Sequence, residues 1–107
     1  LAGAQAKRVQ ELKEVLGLFL NLNFKDFTSK DPVQPTALVE VLLDGKNNML
    51  LIMPKGGGVQ LKYNETNVQI VTPASHLGEA ILGLRVSEST EFEVGDKVRT
   101  CEILSIH

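Results

Sequence analysis

The sequence predicts an α+β fold: an antiparallel sheet with one short helix placed late, preceded by a longer N-terminal helix. Three observations carry this. Apolar residues recur at three- and four-residue steps over the first twenty positions, the period switches to two beyond residue 35, and Asp44-Gly45 and Gly95-Asp96 punctuate the later segments as turns.

Ala2, Gln5, Val9, Leu12, Leu16 and Phe19 stand at the a/d spacing of a coiled-coil seam. At ~1.5 Å per residue a helix over residues 1–20 spans roughly 30 Å. A lone amphipathic helix of that length is marginal in water, so the seam calls for a cover. That cover is the chain's own domain, a second helix of a coiled coil, or another copy of the chain, so self-association through this helix is one expectation.

Between residues 21 and 35, Asn21, Asn23, Asp26, Ser29, Asp31, Pro32 and Pro35 break every period, which reads as a linker. Val39, Val41 and Leu43 then alternate with their neighbours, and Asp44-Gly45 is a hairpin signal. Met49 to Met53 reads as a buried strand, stopped by Pro54-Lys55-Gly56-Gly57-Gly58. Val59 to Tyr63 and Val68 to Val71 read as two more strands, with a turn over Asn64-Glu65-Thr66-Asn67. Ser75 is a suitable N-cap for a short helix whose apolar face is Leu77, Ala80, Ile81 and Leu82, with Gly83 as its stop. Two strands close the chain, Thr90 to Val94 and Val98 to Ile106. Strict alternation puts Val98, Thr100, Glu102, Leu104 and Ile106 on one face of the last.

Composition narrows the function classes. Of the 107 residues 43% are hydrophobic and 22% charged, close to globular averages and unlike a disordered chain. A net charge of −2 is the wrong sign for a binder of phosphate backbones, and the chain has no Trp and one Tyr, so no base-stacking platform stands out. Strong direct nucleic-acid binding is therefore not expected. No apolar run reaches the length of a membrane span, and no signal-peptide pattern opens the chain. The single cysteine, Cys101, has no partner for an internal disulfide, which fits a reducing cytoplasm. Its place in mid-strand suits a small buried hydrophobe.

Candidate chemistry is sparse. His76, His107 and Cys101 do not have metal-ligand spacing, so neither a metal nor a cofactor is expected. No Ser, His and Asp form a recognisable nucleophile signature, and no catalytic residue is assigned. Gly56-Gly57-Gly58 lead into an alternating strand rather than a helix, so a wide hairpin bend fits them better than a phosphate loop. Asn64-Glu65-Thr66 matches a glycosylation sequon, a pattern common by chance. The loop Ala74-Ser75-His76 with Leu77 stands apart, because it presents free backbone N–H groups ahead of a capped helix and so offers a docking point.

Ser75-His76-Leu77-Gly78-Glu79-Ala80-Ile81-Leu82-Gly83, followed by Val86 and Gly95-Asp96, resembles the signature of the C-terminal domain of bacterial Gre-type transcription elongation factors, the GreA/GreB family. Val39-Glu40-Val41 with Asp44-Gly45 and the closing Cys101-Glu102-Ile103-Leu104-Ser105-Ile106 fit the same pattern. Ile52 to Gly58 resembles a glycine-rich subgroup, and Leu1 to Leu12 the end of its N-terminal helical region. The resemblance implies an FKBP-like domain over residues 36–107, a linker over 21–35, and the end of a coiled coil over 1–20. It implies docking on RNA polymerase at the rim of the secondary channel, on a helical hairpin of the β′ subunit. In that family an acidic coiled-coil tip then helps the polymerase's own Mg²⁺ centre cleave backtracked RNA. Ser75 matches the family's docking serine, Ala74 stands where many members have an acid, and His76 where they have a proline. The implied partner-binding residues are thus Ala74, Ser75, His76 and Leu77, and the implied role is regulatory rather than enzymatic.

Two other readings remain open at this level. A relative of the nucleoside diphosphate kinase regulator shares the domain but lacks cleavage activity. An FKBP-like fold is also compatible with prolyl isomerase activity, although only Tyr63 and Phe92 supply aromatic side chains beyond the linker, fewer than such a pocket needs.

Overall fold

A computed structural model of the chain describes residues 4–63 and 66–107, with side chains from Val9 onward. Two helices and six strands follow in the order α1 (Ala4–Leu20), β1 (Leu38–Leu43), β2 (Lys46–Ile52), β3 (Gln60–Tyr63), β4 (Thr66–Val71), α2 (His76–Ile81), β5 (Ser89–Val94) and β6 (Lys97–Ile106). This is an α+β fold. The strands form one six-stranded sheet in the order β3-β4-β2-β1-β6-β5.

The sheet is mixed rather than wholly antiparallel. β4 runs parallel to β2, Met49 to Ile52 pairing with Val68 to Val71, while the other four pairings are antiparallel. The glycine-rich bend explains the difference. It is wide enough that β3 lies one strand away from β2, and β4 returns into the slot between them. Alternation within each strand cannot reveal which neighbour a strand will take. Of the predicted turn over Asn64-Glu65-Thr66-Asn67, Asn64 and Glu65, and the sequon's asparagine with them, lie outside the described residues, whereas Thr66 and Asn67 belong to β4, paired with Tyr63 and Lys62.

Each face of the sheet carries a core built with different elements, and the face under α1 is covered only in part. On one face Val39, Val41, Leu43, Leu50, Ile52, Val71, Cys101, Ile103 and Ile106 form a core with Ile81 of α2 and with Val33 from the segment before β1. On the other face Leu38, Leu51 and Val68 meet Val9, Leu12 and Leu16 of α1. The described part of the seam is therefore covered by the chain's own sheet, except Phe19, which is 72% exposed. Ala2 and the side chain of Gln5 lie outside the described residues.

α1 stops at a Schellman-type end. Asn21 takes a left-handed φ of 55°, Leu22 N–H donates to the Gly17 carbonyl at 2.9 Å, and Asn21 N–H donates to that of Leu18 at 3.4 Å. A Cβ on Gly17 would stand 2.9 Å from the Leu22 carbonyl oxygen, so the reversal needs glycine there. The chain then returns alongside the helix. The side chain of Lys13, only 7% exposed, donates to Asp26 and to the Lys25 carbonyl, both at 2.9 Å. Residues 21–37 contain no helix or strand, and hydrogen bonds tie them to the domain. Val33 N–H donates to the Leu84 carbonyl, and Gly83 N–H to that of Val33.

Asp44 and Gly45 both take positive φ, 50° and 81°, the arrangement a tight hairpin prefers. The Asp44 carboxylate also accepts from Thr100 N–H at 2.9 Å and Arg99 Nε at 2.7 Å. These bonds, the backbone one foremost, hold its pKa below the ordinary carboxylate value.

The facing of β6 departs from strict alternation. Its register against β1 shifts between Glu40 and Val41, so that Ser105 and Ile103 oppose adjacent residues and Leu104 is the extra one. Cys101 and Ile103 therefore point into the core, and the bulge returns Ile106 to the same core. Val98, Thr100 and Glu102 lie on the exposed face, so Ile106 does not share a face with them.

Candidate partner-docking site

The loop predicted to dock leaves β4 at Val71 and enters α2 at His76. Ser75 holds it together. Its extended backbone (φ −73°, ψ 159°) precedes the first helical residue, and its Oγ accepts from Gly78 N–H at 3.0 Å. The same hydroxyl donates to the Thr72 carbonyl at 2.8 Å, and Ser75 N–H donates to that oxygen at 3.1 Å. Both roles of the Ser75 hydroxyl are thus taken within the loop, which makes Ser75 the residue that shapes it.

The four predicted residues divide accordingly. Ala74 and His76 are exposed, Ser75 is half-buried as the cap, and Leu77 is half-buried against the core under α2. The face offered to solvent is therefore Ala74 and His76, with Glu79 exposed one turn further along the helix. Gly78 permits this tight entry, because the helix start lies directly against Thr72. Gly83 follows the helix with φ 85°, a conformation that favours glycine.

The parallel pairing brings a neighbouring loop beside this one. Ile52 and Val71 are partners, so the chain leaving β2 through Pro54 to Gly58 emerges beside the chain leaving β4. Alternation along single strands carries no signal of this neighbourhood.

Elsewhere the chemistry is quiet. Among the described residues no group of three or more His, Cys, Asp or Glu side chains converges as a metal site. Cys101 is fully buried, and desolvation pushes its thiol up to about 11. His107 Nε2 lies 3.0 Å from Ser105 Oγ, which donates to Glu40 Oε1 at 3.2 Å. Because that hydroxyl proton goes to Glu40, the imidazole donates from Nε2 and does not act as a base on the serine. Burial first, and the charge of Lys13 second, lower the pKa of His107. Among the described residues no helix is long and apolar enough to cross a membrane.

No family model and no curated protein matches the sequence. The fold does match solved structures. The transcription factor Gfh1 aligns with a TM-score of 0.57 at 21% identity, over 94% of this chain and 61% of that one. The GreA factor homolog Gfh1 of Thermus thermophilus aligns with a TM-score of 0.54 at 18% identity, over 99% and 71%. The prokaryotic transcription elongation factor GreA/GreB from Nitrosomonas europaea aligns with a TM-score of 0.50 at 18% identity, over 94% and 92%. The chain thus spans 61% of the length of the first of these, and it shares with all three a fold found in transcription factors.

Proposed function

We propose that this chain is a Gre-like regulator of transcription elongation that docks on RNA polymerase through the loop Ala74 to Leu77. One observation carries the reading. The segment whose sequence resembles the Gre signature folds as a capped, glycine-supported turn that exposes Ala74 and His76, on a fold shared with elongation factors. The surface binds rather than reacts, and its partner is the β′ helical hairpin at the secondary-channel rim. In the whole protein the role includes cleavage of backtracked RNA where a coiled-coil tip supplies carboxylates, which hold and position the metal ion.

The test is competition against a GreA/GreB factor for RNA polymerase. The unaltered chain should compete, and His76→Ala or His76→Asp should weaken it about tenfold, or ~1.4 kcal/mol. Melting temperature should barely change, since His76 is exposed. Undiminished competition by both variants removes the loop from the interface.

A further inference from the structure

The loop Pro54 to Gly58 is built to lie beside the docking loop and to stay there. A Cβ on Gly57 would stand 3.1 Å from Thr72 Cγ2, so the glycine packs its main chain directly on the residue that begins the docking loop. Gly56 and Gly58 take φ values of 91° and 88°, which bend the chain as other residues rarely allow. Gly58 N–H donates to the Ile70 carbonyl at 3.1 Å, and Val59 N–H to that of Gly56 at 3.1 Å. A Cβ on Gly58 would meet nothing within 4 Å, so its main chain borders open space. The outcome is a pinned turn of exposed backbone with one long side chain, Lys55.

Charge gives this surface a direction. Residues 53–58 and 72–77 together contain no Asp or Glu, and Lys55 is their one formally charged side chain. The nearest acid in sequence, Glu79, belongs to α2 rather than to either loop. A lysine on a flexible stem, beside backbone without bulk, suits a partner that comes close to the main chain and offers a carboxylate.

Resting on the docking reading above, we infer that Pro54 to Gly58 forms the second half of the same interface, and that the polymerase surface facing it is acidic, with a carboxylate paired to Lys55. The glycines permit close approach, and Lys55 supplies charge complementarity that the docking loop lacks.

Lys55→Glu, Lys55→Ala and Lys97→Glu separate the possibilities in the same competition assay. Lys97 is exposed at the start of β6, at the end of the sheet away from Ile52, and its reversal makes the same change in net charge. We expect Lys55→Glu to weaken competition at least tenfold at low salt and Lys55→Ala about threefold. Lys97→Glu should leave it unchanged, and the difference between Lys55→Glu and the unaltered chain should shrink as salt rises. If the unaltered chain competes and Lys55→Glu competes equally or better, the acidic-partner inference is overturned while the docking reading stands. An unaltered chain that does not compete overturns both. Equal melting temperatures for all four proteins confirm that binding, not folding, is being read.

Discussion

The carbonyl oxygen of Thr72 lies 1.9 Å from where a β-carbon on Gly78 would stand. The obstruction is backbone, and it is held in place by two hydrogen bonds from Ser75, so it has little room to yield. Gly78→Ala should therefore destabilise the fold by about 3 kcal/mol despite the better helix propensity of alanine. A melting experiment should find the transition lowered by about 10 °C or more. A shift of only a degree or two would mean that α2 moves freely away from β4.

Ser75→Ala removes a cap and a tie at once. Gly78 N–H loses its acceptor, and the Thr72 carbonyl keeps one donor of two. The expected loss is about 1 kcal/mol. Ser75→Asp keeps the acceptor for Gly78 and should recover part of that loss, although it places a charge near the Thr72 carbonyl. Denaturant midpoints of the two variants would check the order.

The two ends of the helix seam should respond differently to truncation. Leu16 is 3% exposed among Leu38, Leu51 and Val68, whereas Phe19 is 72% exposed. Leu16→Ala should cost about 2–3 kcal/mol and Phe19→Ala no more than about 0.5 kcal/mol. Chemical denaturation measures both. Equal effects would mean that the helix does not rest on the sheet in solution.

Acid should weaken the fold through His107 before it acts through the carboxylates. The folded pKa of His107 lies below the ordinary 6.5, so the unfolded chain takes up the proton first. Its contribution to stability is full above about pH 6.5 and declines as the pH falls toward the folded pKa. Asp44 acts in the same sense but at lower pH. Its depressed pKa favours the fold above the ordinary carboxylate value of 3.8, and that gain is lost as pH falls through the folded value. Melting temperatures between pH 7.5 and 5 should therefore fall for the unaltered chain and less for His107→Gln. Direct NMR titration of the His107 ring should give a value below 6.5.

Much of the architecture is legible in residue spacing because local rules decide it. Asp44-Gly45 supplies the positive φ values that the first hairpin needs, and Ser75 with Gly83 brackets α2 as a cap and a stop should. Two features escape such rules. The bulge at Leu104 reverses the facing of Ile106, since one extra residue shifts everything after it. The parallel placement of β4 depends on which strand it meets, and no residue within β4 encodes that choice. At the site, the spacing identifies the cap and the exposed positions. The adjacency of the glycine loop is tertiary, and so is the commitment of the Ser75 hydroxyl to Thr72.

The insertion of β4 beside β2 also sets how cooperatively the molecule opens. Among the described residues β3 pairs only with β4, and β4 joins the rest of the sheet only through β2, so these two strands form a flap held along one seam. α1 lies across that seam, since Val9, Leu12 and Leu16 share a core with Leu51 of β2 and Val68 of β4. The helix thus acts as a bolt on the flap, and the loop bearing Ala74 and His76 hangs from the flap's inner strand. We expect amide exchange in β3 and β4 to rise together with that in α1 when Leu16 is truncated, while β1, β5 and β6 keep their protection. Anything that pulls the helix off the sheet would then reach the loop bearing Ala74 and His76 without touching it.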